Sequence, residues 1–220
     1  MWDWDYAAEV TGILLKAIPN VLLATLGGFV LAAVLGLAFA ALIRSRLTIV
    51  RNATKAFVHF IRSTPLLVQL FFLYYSLPMI TPFSMTAFLT GVLGLGLHYS
   101  TYMSEVYRSG IDGVAKGQWE ASTALNFSKR RTWFSVILPQ AIPPVVPIMG
   151  NYLIVIFKET PTLSAITYIE LLLRAKNEIS VSYRVFEPYT ITGVIFIVGS
   201  LLMSLAISRL QKRWMRKRAA

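Results

Sequence analysis

The chain contains no cysteine, which excludes a disulfide framework, a thiol nucleophile and any cysteine-based metal site. Acids are scarce: ten Asp and Glu stand against 21 Lys and Arg, a formal charge of +11. There are two histidines, His59 and His98, and neither has metal-ligand company in the sequence. No Gly-x4-Gly-Lys-Ser/Thr phosphate loop occurs, so the chain carries no ATPase motif of its own. The apolar runs hold no Ser/His pair, paired aspartates or zinc motif, and this excludes an enzyme that works inside a bilayer.

What the chain has in excess is apolar surface. Hydrophobic residues make up 56% of it and the mean hydropathy is +0.62, too apolar for an ordinary soluble domain. The runs reach the roughly 20 residues a helix needs to cross a bilayer. The expected fold is an all-α membrane protein with five spans, at about 17–43, 57–77, 83–107, 144–157 and 188–210. Residues 1–16 form an external lead, 17–210 the transmembrane domain with a polar loop at about 108–139, and 211–220 a basic cytoplasmic tail. The acidic start and the long first run argue against a cleaved signal peptide.

The charge follows this topology. Sixteen of the 21 basic residues fall on one side of the alternating spans, and seven of the ten acids on the other. This is the positive-inside asymmetry; it places the N-terminus outside and the C-terminus inside, and it accounts for the charge without nucleic acid.

Local patterns add detail. Gly28, Ala32, Gly36 and Ala40 recur every four residues, a stripe that lets another helix approach closely. Pro65 fits the first turn of a span that carries an uncommon intramembrane Gln69. Pro78 and Pro82 mark an outside turn, and a short helix is expected near residues 169–176. In the central loop, residues 113–125 read as an amphipathic helix with Trp119, Ser122 and Thr123 on one face. Asn126 stands at a turn, and 129–138 reads as a second helix that Pro139 stops.

Charged groups at membrane depth are candidates for function. A zwitterionic solute needs a cation for its carboxylate and an acceptor for its nitrogen. Lys158, Glu159 and Thr160 could supply these, with Gln69 and Ser100 or Ser104 facing across; alternatively Lys158 and Glu159 snorkel to the interface. His98 reads as a packed histidine rather than a proton relay.

The central loop resembles the coupling loop of permease subunits from ATP-binding-cassette importers. Those read Glu-Ala-Ala, three residues, Gly, nine or ten residues, then Ile-x-Leu-Pro. Here Glu120-Ala121-Ser122 is followed by Asn126 and then Val136-Ile137-Leu138-Pro139. Ser122 replaces a small residue by a small one, and Asn is the residue that best replaces Gly in a left-handed turn. The resemblance extends to the polar-amino-acid branch through Arg62-Ser63-Thr64-Pro65-Leu66-Leu67-Val68-Gln69. It continues through Tyr102, Glu105, Arg108, Gly110 and Ile111, the run Lys116 to Ala121, and Lys158-Glu159-Thr160 with Leu163.

The resemblance implies an importer permease for a polar amino acid or compatible solute, resident in the bacterial inner membrane. Its partners would be a cassette ATPase dimer holding ATP and Mg, a second permease identical or paralogous, and an external solute-binding protein. Gln118, Trp119, Glu120, Ala121, Ser122, Asn126 and Phe127 would dock on the ATPase. The aromatic cluster of Tyr183, Phe186 and Tyr189 and the Lys158–Glu159 pair would fit ectoine or hydroxyectoine, and the overall sequence has some look of that subgroup. The competing function is a stand-alone secondary carrier or channel for a small zwitterion. It would call for carboxylates inside the spans, where Glu105 near the inner end is the exception.

Overall fold

The computed structural model describes residues 2–219, with side chains through Lys212, and every regular element among them is helical. Nine helices follow in order. They are α1 (Trp4–Leu15), α2 (Ile18–Ile43), α3 (Thr48–Ser63), α4 (Leu66–Ile80), α5 (Ala87–Asp112), α6 (Lys116–Ala124), α7 (Lys129–Ile166), α8 (Leu171–Ser182) and α9 (Phe186–Ala219). Three stretches are long and apolar enough to cross a membrane: Trp4–Ile43, Lys129–Ile166 and Phe186–Lys212. The bent pair α3 and α4 makes a fourth if taken as one span. The tail expected at 211–220 continues α9 through Ala219, and its side chains beyond Lys212 lie outside the described residues.

The centre of the fold is α5, which packs along α2 and also touches α3, α4 and α7. The stripe of α2 supplies the contact: Gly28, Ala32, Gly36 and Ala40 are all buried. A Cβ on Gly36 would lie 2.5 Å from Met103 Cβ and 3.0 Å from the Ser100 carbonyl, so the two backbones nearly touch. Leu70, Leu95, Met103, Ile156 and Leu163 fill the core around this seam and are fully buried. The opposite faces of α2 and α9 expose Leu23, Leu26, Val30, Val34, Ile197, Leu201 and Leu202, as a lipid-facing surface does.

Three expectations from sequence fail at prolines. The second span does not run unbroken from 57 to 77. α3 ends at Ser63, Thr64 and Pro65 are extended, and α4 leaves at 102° to α3. Proline disfavours helical backbone in the residue before it. The Gln69 side chain holds this joint. Its Nε2 donates to the carbonyls of Ile61 at 2.7 Å and Thr64 at 3.2 Å and to the Thr64 hydroxyl at 2.7 Å, meeting acceptors left open at a helix end.

Nor does Pro139 stop a helix; α7 runs from Lys129 through it and through Pro143, Pro144 and Pro147. The chain widens first: Thr132–Ile137 is a π-helical segment, and the Leu138 N–H bonds to the Trp133 carbonyl five residues back. The same device precedes Pro78. Phe72–Ser76 is π-helical, Leu77 N–H bonds to the Phe72 carbonyl, and the helix continues to Ile80 where a turn was expected. A π turn shifts the hydrogen-bond register and absorbs the missing proline N–H.

At the other end of the bundle α1 is tied to α8 and α9. Asp3 caps α1, accepting from the Asp5 and Tyr6 N–H groups, and its Oδ2 accepts from Arg184 at 2.8 Å. Arg184 also reaches Glu187 at 2.6 Å and lies over the Tyr6 ring. The Tyr6 N–H and then the Arg184 guanidinium hold the Asp3 carboxyl below its ordinary range. The outer helix, α8, starts two residues later than expected and runs six residues further, and it is capped by Glu170, which accepts from the Leu172 and Leu173 N–H groups at 2.8 Å each. Glu170 is fully buried, and that burial raises its carboxyl to about 7 despite the two N–H bonds.

Two tests follow from this packing. Gly36→Ala should cost about 1–3 kcal/mol of stability in detergent unfolding titrations, because backbone and not a flexible side chain must yield. Gly193→Ala, with nothing within 4 Å of the new methyl, should be neutral or gain up to about 1 kcal/mol. Glu170 binds its proton more tightly folded than unfolded, so stability should fall as pH rises from 4.5 to about 7 and level off above. Glu170→Gln should flatten that slope; an unchanged slope of melting temperature against pH would assign it to another group.

Candidate functional site

The loop between α5 and α7 is a compact knob. Its anchor is Trp119, whose ring meets Trp133 edge-on at 5.4 Å over buried Val114, Ile137 and Ala141. Ser122 is also buried, and its hydroxyl donates to the Gln118 carbonyl at 2.7 Å. Thr123, expected on this inner face, is exposed and donates to the Trp119 carbonyl.

The turn after α6 has the form that Asn126 suggested. Asn126 has φ 55°, in the left-handed region. The Phe127 N–H bonds to the Ser122 carbonyl at 3.0 Å and the Asn126 N–H to the Thr123 carbonyl at 2.9 Å, the paired bonds of a Schellman cap. Ser128 then caps the start of α7, accepting from the Arg131 N–H, and the Arg131 guanidinium lies 4.1 Å over the Phe127 ring. Gln118 accepts a hydrogen bond from Gln140 Nε2 at 3.2 Å and so ties the knob to α7 a second time. Glu120, Ala121 and Leu125 are left exposed on the outer face, free to meet another surface.

The six residues expected to line a solute pathway do not converge. Ser100 and Ser104 are fully buried on α5, and their hydroxyls bond back to the carbonyls of Leu97 and Thr101. Thr160 is buried and bonds back to Phe157. Lys158 is exposed and borders a shallow pocket with Phe196, Ile197 and Ser200 of α9. Glu159 points elsewhere, accepting from the Thr162 hydroxyl at 3.3 Å. Gln69 serves the α3–α4 joint, as above. Tyr183, Phe186 and Tyr189 form no cluster: Tyr183 is 88% exposed, and the Phe186 ring packs on Trp2 at 5.6 Å.

What the fold does assemble is a belt of aromatic and basic groups at the junction of α3, α4, α5 and α7. The rings of Tyr99, Tyr102 and Tyr152 lie 6.0–6.2 Å apart. Arg62 sits 5.0 Å over the Tyr102 ring, and its Nη2 donates to the Thr101 carbonyl at 2.6 Å. The Arg62 Nε is buried without a partner. His98 packs on Tyr99 and Tyr102, and its Nδ1 donates to Gln69 Oε1 at 3.3 Å, consistent with a packed histidine. Tyr99 and Tyr102 stand three apart on one helix, a spacing visible in sequence; Tyr152, fifty residues on, gave no signal.

Among the described residues no group of His, Asp or Glu is placed to hold a metal. The knob's geometry predicts that Asn126→Gly leaves the loop intact. Asn126→Val should strain it by about 1–2 kcal/mol, the cost of a left-handed backbone on an ordinary residue. Limited trypsin digestion at Lys129, Arg130 and Arg131 checks this, with faster cleavage expected for the valine variant alone.

The chain matches, over residues 28–216, the family described as binding-protein-dependent transport system inner membrane components. It is 43% identical to a probable amino-acid ABC transporter permease protein of Sinorhizobium fredii, over 92% of this chain and 90% of that one. It is 34% identical to another of Vibrio harveyi, over 89% and 88%. Its structure is similar to the crystal structure of an amino acid ABC transporter with histidines, with TM-score 0.91, 32% identity and coverage of 97% and 99%. Inward-facing MetNI methionine transporter shares the fold at TM-score 0.74 and 19% identity. The chain therefore belongs to the inner-membrane component family of binding-protein-dependent ABC transport systems, whose members are membrane subunits without an ATPase domain.

Proposed function

We propose that this chain is the permease subunit of an importer that carries a polar amino acid into the cytoplasm. The observation that carries the reading is the knob: a helix fixed by two tryptophans and a Schellman cap, with Glu120 presented to solvent at its surface. Such a rigid projection suits docking on a cassette ATPase, with Gln118, Glu120 and Ala121 as contacts and Trp119, Ser122, Asn126 and Phe127 holding the shape. ATP and Mg would be bound by that partner.

In this reading α5 completes the five spans as the third in chain order, central though its second half is polar, and the basic loops and tail face the cytoplasm. Tyr102, Tyr152 and Arg62 are half-buried, so the belt has an open side. A second permease, identical or paralogous, closes it into a pathway, and an external binding protein delivers the solute. A solute shifts the states of such a pathway only as far as it binds them differently. The amino-acid class rests on the names of the relatives. Ectoine-type zwitterions belong to the same chemical class, and the dispersal of Tyr183, Phe186 and Tyr189 removes one of the two features that favoured them.

Glu120→Arg tests the docking assignment. The variant should reach the membrane at normal levels, lose its co-purifying ATPase, and transport about tenfold less or worse, since reversing an interface charge costs several kcal/mol. Normal ATPase recovery and normal transport in that variant would sink the assignment. Isolation of the unmodified chain alone, under conditions that preserve related complexes, would favour the stand-alone carrier.

A further inference from the structure

A second polar site lies at the end of α5, just ahead of the knob. The C-terminal end of α2, the first turns of α3 and the end of α5 enclose a pocket of about 360 Å³ whose lining includes Arg44, Ser45, Arg51, Lys55, Arg108 and Asp112. Four of these are cations. Two have carboxylate partners: Arg44 bonds Asp112 at 2.8 Å and Arg108 bonds Glu105 at 2.9 Å. The other two do not. Arg51 makes a single long contact to the Thr48 hydroxyl at 3.4 Å, and Lys55 has no hydrogen-bond or ion-pair partner among the described residues. The pocket thus presents two uncompensated positive charges beside two neutralised ones.

Its surroundings are amphiphilic. Further along α3, exposed Phe57 stacks edge-on against Phe39 of α2 at 5.8 Å. α3 itself carries exposed Ile49, Phe57 and Phe60 as well as its cations, and it meets α4 at 102°. If α4 crosses the bilayer, α3 lies along its surface, where an amphipathic helix with basic residues belongs.

We propose that this pocket binds the phosphate headgroup of an anionic phospholipid from the cytoplasmic leaflet, with Arg51 and Lys55 as the ligands. The acyl chains lie along the Phe39–Phe57 flank. Basic pockets between helices on the cytoplasmic side are suited to such headgroups. The apolar flank leading out of the pocket favours a lipid over a free anion. The site braces α3 against α2 and α5 directly ahead of the α3–α4 joint. The proposal rests on the topology of the permease reading, which puts these loops inside the cell.

Native mass spectrometry of the full chain in detergent is the test, with phosphatidylglycerol, phosphatidylcholine and millimolar inorganic phosphate as probes. Phosphatidylglycerol should bind, phosphatidylcholine should not compete, and phosphate should not displace it. Arg51→Gln with Lys55→Gln should weaken phosphatidylglycerol binding about 30-fold, roughly fivefold per basic residue. Lys55→Gln alone should show about fivefold, and exposed Arg46→Gln, outside the pocket, should show no change. Equal binding by the double variant, equal binding of phosphatidylcholine, or displacement by phosphate would each overturn the lipid assignment. Loss of ATPase association in the double variant with lipid binding unchanged would overturn it in favour of a protein ligand. Because the chain lacks cysteine, Arg46→Cys reports topology separately through a membrane-impermeant maleimide. Labelling from outside would refute the topology; failed lipid binding with labelling from inside would refute the pocket alone.

Discussion

The close approach of α2 and α5 at Gly36 is the contact on which the rest of the fold depends. A helix touching its neighbour backbone to backbone gains dense van der Waals packing, the main attraction available where lipid is as apolar as leucine. It also sets α5 so deep that its remaining faces must be covered by other helices. Leu70 of α4 lies against Gly94, and Val145 and Ala141 of α7 lie against Gly110. Gly94 thus receives α4, and Gly91 and Gly110 receive α7, so the arrangement of α4 and α7 follows from the α2 seam.

The second constraint is that a bilayer offers no water to satisfy an open backbone group. Three of the irregularities here are accompanied by a remedy. The α3–α4 joint exposes carbonyls, and Gln69 donates to two of them. Pro78 and Pro139 lack an N–H, and each is preceded by a π turn that moves the ladder by one residue. Gln69 therefore stands out in the sequence for a structural reason, although its Oε1 still joins the belt through His98.

The parts of the fold that sequence made legible are those coded by local chemistry. A four-residue stripe of small side chains has one use on a helix. An Asn between two helices has a preferred backbone region, and Asn126 occupies it. Proline was over-read: its effect depends on whether the preceding turn can widen, which no single residue reveals. The clasp of Asp3 with Arg184, 181 residues away, and the meeting of Tyr152 with Tyr99 and Tyr102 depend on long-range packing. Two of the pathway candidates have a local bond that accounts for them. A serine inside an apolar run can always bond its own helix, and Ser100 and Ser104 do so.

That distinction separates the polar groups by what motion can do to them. A hydroxyl bonded to its own helix travels with it and senses nothing when helices shift. Arg62, Gln69 and His98 instead bond or stack across helices, so any rearrangement of α5 against α3 or α4 must alter them. Tyr152 belongs to α7, the same continuous helix that begins at the knob. From Thr132 to Tyr152 the rise is about 30 Å. Had Pro139 ended a helix, a joint would lie between knob and belt and would absorb any displacement. Because the π turn carries the helix through, a push on Trp119 passes by Trp133 into α7 and reaches the tyrosines without crossing a break in the chain.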